Sequence, residues 1–449
     1  MNTSSISTSN PILKPSSATL PLAQLQQSET QTSTRPRSVY LDGLSQLPAR
    51  SRSDSVDRST MLKSTGRDAT EVSDRDKNVI RYATQATIKN DGLSQVDLPR
   101  LVQANRELHK TREAIPHSGN KLADIVSTQG ESSIRNELRA EYTGHDGLSF
   151  TNQYLKLDFG KESGLYAQAD IDENKRDIIK RENTNRAANA TAAGAGNCAH
   201  TAYVATRNLA GKFDTDANDT ICTVMSKIPG VDHAWTTLDS SDGLGKSPLI
   251  VDGWMAGPVV RANDARNLHQ GTTQELEKYN NNLEKTELAN DYNKEVDRFK
   301  NTKGSGFTGA AKTRAEEISD FTAIHMKSGL GKKKADLAQL NPTSYYDKTY
   351  ILSPQFRAES RAAAIQLQTP SQLQGPINSG ELYVAPIDTV GSTKEDSTKE
   401  QVNNMISELS KEIGVHKSVV AAEVAEVIRV EAAMSPLDET IPSWADKTG

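Results

Sequence analysis

The sequence predicts an α+β protein: a helix with a cysteine at its start packs on an antiparallel sheet, between helical flanks and after a disordered N-terminus. Three observations carry this. The stretch "AGAGNCAHTAYVATRNLAG" (193–211) puts Cys198 just after a Gly-rich turn, at a helix start. "DHAWTTLD" and "SPLIVDGW" flank the loop "SSDGLGK" and read as an antiparallel hairpin. About a third of the first fifty residues are Ser or Thr, a composition that buries too little apolar surface to offset the entropy of ordering.

In chain order, 1–75 reads as a disordered segment, either a plain flexible tail or a Ser-rich, uncleaved export leader. Residues 76–142 read as helical: "VDLPRLVQANRELHKTREAI" spaces Leu98, Leu101, Val102 and Leu108 at helical turns and ends before Pro116. The core is expected over 143–370. In its central helix Cys198, Ala202, Ala205 and Leu209 share one face, with Gly211 as the stop. "TICTVMSK" alternates as a strand, with Cys222 in its middle. Residues 272–300 read as one charged amphipathic helix. Over 371–449 a linker leads to a single helix at 402–434, carrying Met405, Leu409, Ile413, Val420, Val424 and Val427.

Composition excludes several classes. A net charge of -5 disfavours nucleic acid, and the run Lys332, Lys333, Lys334 reads as a solvated face. Two cysteines make no disulfide framework for 449 residues, so a reducing compartment is expected. No stretch is long and apolar enough for a transmembrane helix, the start lacks the plan of a Sec signal, and Asn2 after Met1 excludes N-myristoylation.

Cys198 is followed by His233 and then by Asp252. A helix N-terminus favours a thiolate. A cysteine nucleophile needs a base within reach and a third group to orient that base. If the hairpin holds, His233 and Asp252 lie side by side on neighbouring strands, and Trp235 and Trp254, each two residues on, face the same way and exclude water. That chain order and layout is that of papain-like and transglutaminase-like folds. Asn183 and Asn197 are candidate side-chain donors to an oxyanion beside the backbone N–H of Cys198, although Asn197 is also a good helix cap. A zinc site from Cys198, His200, His233 and Cys222 is disfavoured. Two residues apart on a helix point about 200° away from each other, and neither C-x-x-C nor H-x-x-x-H occurs. No metal and no cofactor is expected.

"GAGNCAHTA", "GVDHAW" and "SPLIVDGW" resemble the three catalytic blocks of the AvrPphE/HopX/XopE family of type III secreted effectors of plant-pathogenic bacteria. The resemblance extends to "REAIPHSGNKL" (112–122) and more weakly to "SYYDKTYILSPQF" (344–356). It implies a transglutaminase-superfamily enzyme with Cys198, His233 and Asp252 as its triad, delivered into the host cytoplasm or nucleus to interfere with plant immunity. A host protein is then the substrate, and a secretion chaperone at the N-terminus a further partner. Peptide-bond hydrolysis ranks ahead of deamidation or transglutamination. Relatives carry Gly-Glu after the cysteine, where this chain has Ala199 and His200. The competing class is a non-enzymatic binding protein whose helical flanks hold a partner and whose triad is vestigial.

Overall fold

A computed structural model describes residues 71–89, 91–94, 97–140, 168–213, 219–240, 247–301, 313–342, 350–367 and 393–434. The expected leader (1–75) lies outside the described residues except for 71–75, and there Ser73 already caps a helix. In chain order the elements are α1 (Asp74–Ile88), α2 (Asp97–Ala114), β1 (His117–Ser118), α3 (Leu122–Ser127) and a helical stretch at 131–140. Next come α4 (Gln168–Ala193), β2 (Ala195–Gly196), α5 (Cys198–Lys212), β3 (Asp219–Ser226), β4 (Ala234–Ser240), β5 (Leu249–Val251) and β6 (Val260–Arg261). The chain continues with α6 (Asn267–Gln270), β7 (Thr273–Tyr279), α7 (Asn282–Asn301), α8 (Arg314–Lys327), α9 (Leu330–Leu340), α10 (Pro354–Leu367), α11 (Thr393–Ile413) and α12 (Lys417–Ala433).

Five strands form an antiparallel sheet in the order β6-β5-β4-β3-β7. The expected hairpin is present as β4 against β5, with Thr236 opposite Val251 and Leu238 opposite Leu249. β3 is buried along most of its length because it lies between β4 and β7, and its one charge, Asp219, is paired with Arg100. The cysteine-bearing helix α5 is stitched to this sheet by hydroxyls. Thr206 Oγ1 meets Thr223 Oγ1 at 2.7 Å and Thr236 Oγ1 at 3.0 Å, and Thr236 donates to the Ala202 carbonyl at 2.9 Å. Each of these polar groups is buried, and each is satisfied across the helix–sheet interface.

Three expectations about elements change. The segment read as one helix over 272–300 is the edge strand β7 followed by α7. The pattern misleads because one of the two buried residues of β7 is Glu277, beside Tyr279, and a buried charge hides the alternation. Arg207 of α5 compensates it with a two-pronged ion pair at 2.7 and 2.8 Å, and Asn183, Thr223 and Tyr279 also donate to it. The helix expected over 402–434 is two helices, broken where Gly414 takes φ 76°, a left-handed conformation that suits glycine. Finally, α5 does not stop at Gly211 but continues to Lys212.

The flanks are part of the same core. Val79 and Ile80 of α1, Leu101 of α2, and Ile406, Leu409, Val420 and Val424 of α11 and α12 share one buried cluster with Ile221, Trp235, Leu249 and Val260 of the sheet. The divisions expected at 142/143 and 370/371 fall outside the described residues, but the packing on either side is continuous. A second cluster, including Ala187, Ala190, Val204, Tyr292, Val296 and Phe299, joins α4, α5 and α7. Thus α5 is clamped by the sheet and by helices, which fixes where its N-terminus points. Among the described residues no helix is long and apolar enough to cross a membrane.

Candidate active site

Cys198 occupies the first position of α5. Helix α4 ends at Ala193, Gly194 turns the chain with φ 65°, and Asn197 caps the new helix. The cap is reciprocal. Asn197 Oδ1 accepts the His200 backbone N–H at 3.3 Å, and the Asn197 N–H donates to His200 Nδ1 at 3.3 Å. This is a capping box with histidine in the place where Glu or Gln usually stands. His200 is buried, and burial, with Arg139 and Arg186 nearby, holds its imidazole well below the usual range. The backbone N–H groups of Cys198 and Ala199 have no acceptor within the helix, as at any helix start.

His233 and Asp252 lie one residue outside their strands, His233 just before β4 and Asp252 just after β5. Continuing the register beyond Thr236 and Val251 sets Asp252 across from Trp235. The sequence reading had His233 and Asp252 directly opposite. They instead meet on the diagonal, which is still within reach of a long side chain. Ser226 N–H donates to the His233 carbonyl at 2.9 Å, which ties His233 to the end of β3. His233 Nε2 donates to Asp252 Oδ2 at 2.6 Å, and both side chains are 1% exposed. The thiol of Cys198 donates weakly to the carbonyl of Asp232, the residue before His233, at 3.8 Å.

The electrostatics follow from this pair. Burial alone would lower the His233 imidazole. The charge and hydrogen bond of Asp252, with Cys198 adding to them, prevail and push it up to about 10. Burial alone would raise the Asp252 carboxyl, but His233 and then His269 hold it well below the usual carboxylate range. With Nε2 committed to Asp252, Nδ1 is the ring nitrogen left for the sulfur. In the serine-protease triad the two nitrogens have the opposite assignment.

Asp252 has two jobs. While Oδ2 receives the imidazole, Oδ1 accepts the backbone N–H groups of Trp254 and Met255 at 2.9 and 3.0 Å and so closes a turn. β5 therefore ends before Asp252, and Trp254 is placed by that turn rather than by strand alternation. The outcome is nevertheless an aromatic wall. His233 stacks on Trp235 (centroids 5.7 Å apart, planes at 24°) and meets Trp254 on a tilt at 5.1 Å. Gly253 permits the turn to sit close. A Cβ there would lie 3.0 Å from Thr201 Cγ2 and 3.1 Å from Thr111 Cγ2.

The remaining candidates separate. Asn183 donates its amide to Glu277 at 3.0 Å in the buried Arg207 network, so it is a structural residue and not an oxyanion donor. The side-chain oxygen of Asn197 is spent on the cap. Cys222 sits in mid-strand on β3, opposite Thr237 and Lys278, and burial together with Glu275 pushes its thiol up to about 11. The four residues weighed as a zinc site thus have separate commitments. The described donors that do lie close enough to share an ion are His233, Asp252 and His269. Their spacings, 2.6 and 3.0 Å to one carboxylate oxygen, are direct hydrogen bonds, and an ion would have to force them apart.

Two groups of residues belong to the site and escape the spacing argument. His269 of α6 is one. The other braces the turn after Asp252. Arg112 donates to the carbonyls of Asp252 (3.3 Å) and Met255 (2.7 Å), and the Trp254 indole N–H donates to Ser118 Oγ (2.9 Å) and Asn120 Oδ1 (3.2 Å). Lys121 donates to the Trp254 carbonyl and lies 4.7 Å over its ring. Gly119 N–H binds the Gly196 carbonyl at 3.0 Å, which ties this segment to the approach to Cys198. The signal for this brace is the block "REAIPHSGNKL". The described part of the second block (350–356) runs alongside, with Ile351 N–H on the Ala256 carbonyl at 2.9 Å.

Compared with known proteins, the chain matches no family model, no curated protein and no solved structure.

Proposed function

We propose that this chain is a cysteine-dependent enzyme that acts on a protein substrate by acyl transfer, with Cys198 as nucleophile, His233 as base and acid, and Asp252 as the group that orients the base. One observation carries the reading: a buried His233–Asp252 ion pair that leaves the imidazole nitrogen opposite Asp252 for a cysteine at a helix N-terminus. A merely structural histidine has no need of a thiol beside it, and a merely structural cysteine has no need of free backbone N–H groups.

The chemistry follows. The thiol proton comes to rest on His233, giving the imidazolium that Asp252 stabilises, and the sulfur attacks the carbonyl carbon of a backbone or glutamine amide. The new oxyanion receives hydrogen bonds from the Cys198 N–H and its neighbour at the start of α5. His233 returns the proton to the departing amine, leaving a thioester. Water then releases an acid, or a second amine takes the acyl group. Asp252 stabilises the imidazolium throughout, and Trp235 and Trp254 keep bulk water from the pair.

A papain- or transglutaminase-like core is the architecture that this reading implies, with the cysteine helix lying on the hairpin that carries histidine and aspartate. The resemblance to AvrPphE/HopX/XopE effectors supports the same assignment. The departure at His200 is chemically mild, since a Glu at that position and His200 both close a capping box. On this reading the chain is a type III secreted effector, its substrate is a plant protein, and peptide-bond hydrolysis is the first expected reaction. The test is proteomics of plant-cell extract exposed to the wild type or to Cys198→Ala. New termini, deamidated glutamines or cross-links confined to the wild type name the reaction. Identical extracts from both would overturn it.

A further inference from the structure

Asp252 serves a second imidazole. His269 Nε2 lies 3.0 Å from Asp252 Oδ2, the same oxygen that His233 uses, and its side chain is 0% exposed. Its ring stands edge-on to His233 (5.9 Å, 84°) and to Trp235 (4.7 Å, 72°). Its other nitrogen, Nδ1, has no hydrogen-bond partner among the described residues.

We infer that His269 is a positioning residue: a permanently neutral imidazole whose Nε2–H holds the Asp252 carboxylate ionised and fixed for His233. The inference rests on the reading of Cys198, His233 and Asp252 given above and adds a fourth member to it.

Proton accounting leads to it. An ionised carboxylate only accepts, so each Nε2 that meets Oδ2 must bring a proton. Were His269 also protonated at Nδ1, that N–H would be buried without an acceptor, which costs free energy. Two imidazolium ions on one buried carboxylate would also leave a net positive charge in a dry site. His269 is therefore the neutral donor, and the whole charge of Asp252 remains for His233. Burial lowers His269 despite Asp252, in keeping with this. The other charged or titratable groups facing the site are Cys198 of α5, Arg112 of α2 (on the Asp252 carbonyl), Lys121 (on the Trp254 carbonyl), and Arg266 and Tyr350, which bond to each other through the Tyr350 carbonyl.

The experiment has two arms. In the wild-type chain with 15N-labelled histidine, NMR should find His269 neutral and protonated at Nε2 from pH 5 to 8. A charged His269, or a proton on Nδ1, would overturn the inference. In the second arm His269→Leu removes the donor, and His269→Gln offers an amide N–H at about the same place. Melting curves check folding, and the rate of Cys198 alkylation by iodoacetamide is followed against pH. Without the donor Asp252 protonates more readily, so the acid-side fall-off in rate should move up by on the order of one pH unit in the Leu variant. The Gln variant should return most of the way. An unmoved fall-off in a folded Leu variant, or an equal shift in both variants, contradicts the inference. Should the Leu variant not fold, the Gln variant and the wild-type NMR decide. If wild-type Cys198 shows no activation at all, the triad reading fails, while the NMR arm still reports on His269 and Asp252.

Discussion

His233 Nε2 lies 2.6 Å from Asp252 Oδ2, although each residue stands one position outside the strand that delivers it. The pair is thus held by the ends of β4 and β5, with the His233 carbonyl still accepting the Ser226 N–H at the end of β3. The same carboxylate closes the Asp252–Met255 turn with its other oxygen.

That double duty makes Asp252→Asn an informative change. The asparagine Oδ1 can keep both turn bonds, so the variant should fold with a near-normal melting curve. Its Nδ2 group would then present N–H to His233, where an acceptor is required, and the imidazolium would lose its counter-charge. In the serine-protease template the matching change costs about ten-thousandfold in turnover. A thiol ionises with less help, so a loss of roughly a hundredfold is expected here. Unchanged activity in a folded variant would remove Asp252 from the mechanism.

The pair also predicts a pH-dependent stability. His233 is raised from 6.5 to about 10 in the folded chain. Its contribution is therefore complete below about 6.5, where the unfolded chain is protonated too, and is lost as pH rises through about 10. The stability difference between wild type and His233→Gln, from denaturant titrations at pH 6, 8 and 10, should shrink steadily. On the acid side Asp252 works the other way, since its lowered carboxyl contributes above 3.8 and loses its effect as pH falls through the folded value. A difference that stays constant from pH 6 to 10 would contradict the ion pair.

Ile250 is 1% exposed in β5, adjacent to Val251 and two residues before Asp252. Cutting it to alanine should cost about 2–5 kcal/mol and lower activity by loosening the strand that presents Asp252. An unchanged melting temperature would show that the strand is not anchored by this side chain.

Glu277 and Arg207 anchor the middle of α5 to the edge strand, with side chains 3% and 0% exposed. Glu277→Ala leaves a buried guanidinium unpaired and should cost about 3–5 kcal/mol, whereas replacing both partners by Met and Leu should cost much less. Denaturant unfolding of the single and double variants checks this directly.

How much of this was legible in the sequence depends on how local each signal is. The start of α5 is local: Asn197 caps, Cys198 follows, and the 4-3-4 spacing of small and apolar residues marks the buried face. The β4–β5 hairpin is local too, and it brings His233, Asp252 and Trp235 together, while α5 supplies Cys198 and the turn after β5 supplies Trp254. β7 was hidden because its inward residue, Glu277, is a charge whose partner lies 70 positions earlier on another element. Asn183 was misassigned for the same reason. His269 carries no motif. It reaches Asp252 only because the chain turns back through β6 before the four-residue helix α6. The break at Gly414 is a single-residue conformational event inside a continuous apolar period.

Cysteine reactivity tests the central claim most directly, because the two thiols form a matched pair. Cys198 is 6% exposed and Cys222 is 7% exposed, so access alone gives them similar rates with a small alkylating reagent. The account predicts that at pH 7 iodoacetamide modifies Cys198 faster than Cys222, whose thiol burial and Glu275 push up to about 11, and that His233→Gln slows Cys198 at least about tenfold while leaving Cys222 unchanged, as read by peptide mass spectrometry. Equal rates for the two thiols in the folded wild-type chain, or a fast Cys198 that His233→Gln leaves unchanged, would contradict a His233-activated nucleophile.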